Sequence, residues 1–284
     1  MSRMCDADFR FERHVAPARL QRAHGMVSLA CKRRGTVTCL ADLRQEGCLK
    51  ARFPRSPDRM QAVMINTSGG IAGGDRLRVC IRVSDGAAVT VAGQAAERFY
   101  RALDDDAPAF VETEAVLAPG ACLEWLPQEA IFFDGCAMRR TLRVQMAADA
   151  TFLGVECLVF GRAAMGEHVS GARISDTIEV LRDGMLLLYD AIRMPANVAE
   201  ALARPAVAAG ARAIATLVLV APDAEDRLGG LRSALPGSEA GASAWNGLLL
   251  ARILASDAAA LRHLVVVALA TLRNGRELPR VWMC

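Results

Sequence analysis

The stretch Arg76-Leu77-Arg78-Val79-Cys80-Ile81-Arg82-Val83 alternates without a break. Leu77, Val79, Ile81 and Val83 share one face and Arg76, Arg78 and Arg82 the other, which predicts a strand with one buried side. Asp85-Gly86 then supplies a turn before the apolar segment Ala87–Val91. The same order recurs at Pro119-Gly120 before Ala121–Leu126, Asp149 before Thr151–Phe160, and Asp183-Gly184 before Met185–Tyr189. These turns fall 34, 29 and 35 residues apart. A repeated turn followed by a strand predicts stacked β-layers or a β-solenoid, less regular than a strict repeat.

Outward from that core, period-two patterning extends from Thr36 to about Asp190, and Ile214–Val220 reads as a further strand. Ala196–Arg212 is Ala-rich and predicts a short helix broken at Pro205. Asp223–Ser243 carries Gly229-Gly230, Pro236-Gly237 and Gly241 and reads as an exposed connection. Trp245, Leu248, Leu249, Arg252 and Ile253 follow helical spacing, and Ser256-Asp257 offers an N-cap for a second helix through Leu261, Leu264, Val265 and Leu269. The expected architecture is a mainly β single domain over residues 1–284. Its layered or β-helical body covers about 20–222, with a helical hairpin at about 243–273.

The chain has 284 residues, 53% hydrophobic and 23% charged, with a net charge of +3, which excludes disordered and low-complexity classes. Residues 1–60 hold 13 Lys+Arg against 6 Asp+Glu, yet no basic run exceeds Lys32-Arg33-Arg34 and aromatics are only 5%, so nucleic-acid binding is not expected. Met1–Arg10 has no apolar run of signal type, and no segment approaches the ~20 residues of a spanning helix, so no membrane role and a cytoplasmic location are expected. Nine cysteines without a close CxxC pair argue against a disulfide framework or a zinc ribbon.

Three segments carry potential chemistry. Asn66-Thr67-Ser68-Gly69-Gly70-Ile71-Ala72-Gly73-Gly74-Asp75 is glycine-rich but lacks the Lys-Ser/Thr of a P-loop. It also leads into a strand rather than a helix, so a tight turn with Asp75 as its one functional candidate is expected. Glu129 lies between Pro127 and the apolar run Ala130–Phe133, and Glu156 interrupts Phe152–Phe160. A carboxylate so placed must be paired, protonated or in contact with a polar channel. One reading of such a carboxylate is an internal ion pair with a neighbour such as Arg162 or Arg98; another is Glu129 or Glu156 as the general acid or base of an enzyme. A self-assembling structural β-protein is a third class. The four histidines form no HxH or HExxH motif, and no GxSxG is present.

Five blocks together resemble the urease accessory protein UreD (UreH) family. They are Asn66–Leu77, Gln94-Ala95-Ala96 with Phe99-Tyr100-Arg101, Glu124–Gly135, Glu156–Arg162 with Met165-Gly166-Glu167, and Leu278-Pro279-Arg280-Val281-Trp282. The resemblance implies a mainly β, layered or β-helical body with a small helical pair, as the patterning does. It also implies a non-enzymatic part, without a tightly bound cofactor, in assembling the dinuclear nickel centre of urease. Such proteins bind UreF directly, recruit the GTPase UreG through it, and dock on apo-urease, with a homodimer of the complex as one arrangement. The family member is a scaffold and, by one proposal, a conduit for nickel. Carboxylates hold Ni²⁺ weakly enough to release it, which makes Asp75, Glu129, Asp134, Glu156 and Glu167 the candidate transient nickel contacts. Relatives commonly have Lys where this chain has Glu97, ahead of Arg98-Phe99-Tyr100-Arg101. A mean hydropathy of +0.23 adds the expectation of exposed apolar surface, poor solubility alone and rescue by UreF.

Overall fold

The computed structural model describes residues 21–103, 107–162, 165–237 and 239–283. The stretch read for targeting, Met1–Arg10, lies outside the described residues, as do Cys5, His14 and Cys284. The chain runs through β1 (His24–Arg34), β2 (Val37–Gly47), β3 (Leu49–Arg52), β4 (Met60–Asn66), β5 (Arg76–Val83), β6 (Ala88–Gly93) and β7 (Glu97–Phe99). It continues through β8 (Ala109–Leu117), β9 (Cys122–Leu126), β10 (Ala130–Phe132), β11 (Ala137–Met146), β12 (Thr151–Phe160), β13 (Arg173–Arg182) and β14 (Met185–Met194). The last elements are α1 (Val198–Ala203), β15 (Ala213–Val220), α2 (Ala224–Ala234), β16 (Ala240–Trp245), β17 (Leu248–Ala255), α3 (Ala258–Leu272) and a 3-10 turn, Arg280–Trp282.

Two sheets face each other. The first has the order β14-β13-β11-β8-β5-β1-β2 and the second β16-β17-β15-β12-β9-β6-β4-β3. Three of the turns picked out by spacing carry the chain from one sheet to the other: β5 to β6, β8 to β9, and β11 to β12. Neighbours within this central part are parallel, as in β5 with β8, β8 with β11, β6 with β9 and β9 with β12. A β-solenoid is therefore the architecture. The fourth turn does otherwise: Asp183 (φ 51°) and Gly184 (φ 76°) fold β14 back antiparallel on β13 and end the coil.

Alternation explains the packing. Leu77, Val79, Ile81 and Val83 are buried between the sheets, while Arg76, Arg78 and Arg82 are exposed. β12 differs because it is covered on both sides: Phe152, Leu158 and Phe160 enter the inter-sheet core, and Leu153, Val155, Cys157 and Val159 join a second core with α2 and α3. Double burial is why this segment reads as a continuous apolar run.

The C-terminal helix pair exists but not where spacing put it. The expected first helix is instead a β-hairpin of β16 and β17. Asn246 (φ 51°) and Gly247 (φ 75°) form the turn of the β16–β17 hairpin; Leu248, Leu249 and Ile253 are buried along β17, and Trp245 is exposed at the end of β16. The first helix is instead α2, inside the segment read as an exposed connection. Packing of Ala224 and Leu231 into the second core overrides the low helix propensity of Gly229-Gly230. The second helix is as expected, with Asp257 accepting from the Ala260 N–H at 2.9 Å as its N-cap. Among the described residues no helix is long and apolar enough to cross a membrane.

The glycine-rich loop is a tight turn into β5. Tyr100 donates to the Gly69 carbonyl at 3.0 Å, and Gly70, at φ +152°, lies against the Tyr100 ring. A Cβ at Gly70 would come within 2.2 Å of that ring and 3.0 Å of the Arg98 carbonyl, whereas one at Gly69 (φ +79°) meets open space. Gly70→Ala is expected to cost about 2–3 kcal/mol and Gly69→Ala about 1 kcal/mol, read from urea midpoints. Equal costs would show that the close approach to Tyr100 is not what reserves Gly70 for glycine.

Candidate functional site: a slot in the second sheet

The second sheet is interrupted twice, one coil above the other. β6 ends at Gly93 and β7 resumes at Glu97; β9 ends at Leu126 and β10 resumes at Ala130. Pro127 has no N–H to continue the ladder there. β12 runs straight past, pairing with β9 up to Gly154 and with β10 from Leu158. Val155, Glu156 and Cys157 thus face a gap on that side. Between the sheets beside it lies a cavity of about 100 Å³, whose polar wall is Asn66, Glu97, Gln128, Arg140 and Glu156. By this measure one water needs about 10–15 Å³, so the cavity admits several.

On the inner side, Glu156 Oε1 accepts from the Trp125 indole N–H at 2.9 Å, and Oε2 is 2.7 Å from Arg140 Nη1. The Oε2 contact lacks hydrogen-bond alignment, so that oxygen keeps its lone pairs unclaimed. Arg140 also donates to both oxygens of Asp176 at 2.8 and 2.7 Å, one strand over on β13. Burial pushes the Glu156 carboxyl up from 4.5 to about 7; Arg140 and Trp125 pull it down, and Asp176 pushes it further up. Glu97, which accepts from Asn66 at 3.0 Å, is likewise raised by burial. Both carboxyls lining the cavity therefore take up protons more readily than ordinary glutamates.

On the outer side, Glu129 accepts from Arg262 of α3 at 2.9 Å, and the same nitrogen reaches Gln128 at 2.7 Å. Arg262 also donates to the Trp282 carbonyl at 2.7 Å, so the C-terminal turn closes over the slot. Gln128 spans the gap by donating to the Val281 carbonyl at 3.0 Å.

The remaining sequence candidates lie elsewhere. Asp134 and Glu167 come together: Glu167 accepts from the Asp134 N–H at 3.1 Å, and Asp134 Oδ1 accepts from Ser170 and Gly171. The Gly171 N–H, aided by Ser170 and Arg101, holds Asp134 below its usual range; Arg162 does the same for Glu167. Asp75 stands apart, accepting from the Ala23 and Ala72 N–H groups at 2.7 and 2.8 Å and thereby fixing the glycine-rich loop. The ion partner of Glu156 is neither Arg162 nor Arg98, since Arg162 is held by Glu167 at 2.8 Å. Among the described residues no three His, Cys, Asp or Glu side chains are grouped to hold one metal ion.

Sequence reasoning passed over Arg140, Asp176, Trp125 and Arg262. A signal existed for two of them. Met138, Leu142 and Val144 point inward on β11, which puts Arg140 on the same face, and Ile174, Ile178 and Val180 do so for Asp176.

Fold and site together define a parallel β-solenoid with a polar slot closed by buried carboxylate–guanidinium pairs. The family model described as UreD urease accessory protein matches residues 13–283. The chain is 44% identical over 264 residues to the urease accessory protein UreD of Xanthobacter autotrophicus, covering 92% of this chain and 90% of that one. Its counterpart in Methylobacterium sp. is 44% identical over 280 residues (95% and 98% covered), and that of Dinoroseobacter shibae 45% over 267 residues (93% of each). The chain belongs to the UreD urease accessory protein family.

Arg140→Gln is expected to destabilise by about 3–5 kcal/mol, because it strands two buried carboxylates. Glu156→Gln leaves Arg140 paired with Asp176 and mimics the protonated acid, so about 1 kcal/mol or less is expected. The pH dependence has a definite sign. Between pH 4.5 and about 7 the folded state keeps a proton on Glu156 that the unfolded state has lost. The stability this group contributes is complete below pH 4.5, falls as pH rises to about 7, and is level above. Denaturant titrations across this range should show that slope flattened in Glu156→Gln; an unchanged slope would reject the assignment.

Proposed function

We propose that this protein is a urease maturation factor, a non-enzymatic scaffold through which nickel passes on its way into the dinuclear centre of apo-urease. It binds UreF directly and UreG through UreF, and the assembly docks on urease. Membership of the UreD family supports the maturation role. The observation that carries the conduit is the slot itself, with Glu156 on its inner side, Glu129 on its outer side and a polar cavity between the sheets. Carboxyls raised by burial suit transit, because a proton competes with the metal and keeps its hold weak. Docking is supported by β14, an edge strand that leaves Met185, Leu186 and Tyr189 exposed.

Co-expression with UreF, UreG and apo-urease tests the reading. Glu156→Gln should retain UreF on size exclusion and lower urease activation several-fold, measured as nickel per active site and urea turnover. Full activation by the variant would remove Glu156 from the route. Homopolymers that ignore UreF would reject the scaffold, and turnover of amides, esters or nucleotides lost in Glu156→Gln would favour an enzyme.

A further inference from the structure

On the outer face of the second sheet, where the end of α3 meets the start of α2, lies a hollow of about 270 Å³ distinct from the slot. Its wall holds four guanidinium groups, Arg59, Arg227, Arg273 and Arg276, against two carboxylates, Glu124 and Asp223. Three of the four are committed. Arg227 bonds Asp223 and the Leu272 carbonyl. Arg273 bonds Glu124 and the carbonyls of Arg276 and Glu277. Arg276 bonds Glu124 and Asp58.

Arg59 is different. Its nearest carboxylate oxygens among the described residues, on Glu124 and Asp58, are 3.6 and 3.8 Å away, and Nη1 donates to the Cys122 sulfur at 3.1 Å. Its Nε is buried and has no hydrogen-bond partner among the described residues. Glu124, already ringed by Arg59, Arg273 and Arg276, is a single buried charge facing three cations. Burial pushes Glu124 up, but the bonds from Arg273 and Thr90 and the charge of Arg59 bring it below its ordinary value. Thr151 and Asn274 also line the hollow. Counting Asp58, four guanidinium groups face three carboxylates; that excess of positive charge, the unpartnered Arg59 Nε and the polar residues Thr151 and Asn274 make the chemistry of a small oxyanion site.

We infer that this hollow binds a small tetrahedral oxyanion, of which inorganic phosphate is the probe. Bound there, the anion joins the segment before β4 (Arg59) to the end of α3 (Asn274) and ties the helix pair to the solenoid. The full-length protein is titrated with phosphate at constant ionic strength, and the shift in Tm gives the apparent affinity. A saturable rise is expected, at least about tenfold weaker in Arg59→Gln, as loss of charged hydrogen bonds entails. Arg143→Gln, on the far sheet, should match the parent. If Arg59→Gln does not fold, Thr151→Val and Asn274→Ala carry the test and should each weaken the response. An equal rise with chloride, no saturable rise, or undiminished affinity in these variants would overturn the site.

Discussion

Successive coils are held in register at the corner where the first sheet passes into the second. Ser84 donates to the Cys31 carbonyl, Ala118 to Val83, Ala147 to Leu117 and Asp183 to Met146, at 2.9–3.0 Å. Each bond fixes one coil on the one before. Equivalent positions therefore become lateral neighbours, as Leu77, Val111, Arg140 and Asp176 are across β5, β8, β11 and β13. A slip of one residue would turn Arg140 to solvent and bring Arg139 or Arg143 inside, away from any buried carboxylate. The buried ion pairs are thus a consequence of the corner ladder as much as a support to it.

That register gives the carboxylates of this UreD-family protein two different characters. Asp134 and Glu167 accept from backbone N–H groups and exposed arginines, and their charge is stabilised. Their work is local, holding the ends of β10 and β12 together. Glu156, buried, and Glu97, half-buried, line a cavity and resist ionisation. The second pair takes up protons more readily than the first, and the difference arises from burial rather than from residue type.

The ends of the coil are closed by changing strand direction. β2, β3, β14 and the β15–β17–β16 set all pair antiparallel, by hairpins or by direct return. A parallel coil cannot end in a hairpin without leaving the solenoid path, and the Asp183-Gly184 turn does this on the first sheet. On the second sheet, α2 and α3 cover the outer face and Arg262 and Arg273 anchor them to the loop after β9 and to Glu124. The helix pair is fixed at its ends by charge and along its length by the Leu231, Leu261, Val265 and Leu269 core.

The sequence by itself determined the strands of the solenoid, the turns between its sheets, the Asp257 cap and the family, because alternation, turn residues and motif blocks are local. It also contained the Asn246-Gly247 hairpin and the inward placement of Arg140, which helical spacing and a neighbouring Arg139 obscured. Tertiary structure alone decided that Gly229-Gly230 lies in a helix, since burial of Leu231 outweighs local propensity there. It alone decided the partners of the carboxylates: Glu156 meets Arg140 across the interior, Glu129 meets Arg262 more than a hundred residues away, and Glu124 gathers Arg59, Arg273 and Arg276. Such partners depend on coil stacking and on where Pro127 breaks the ladder. Neither is a property of any stretch short enough to be read along the chain.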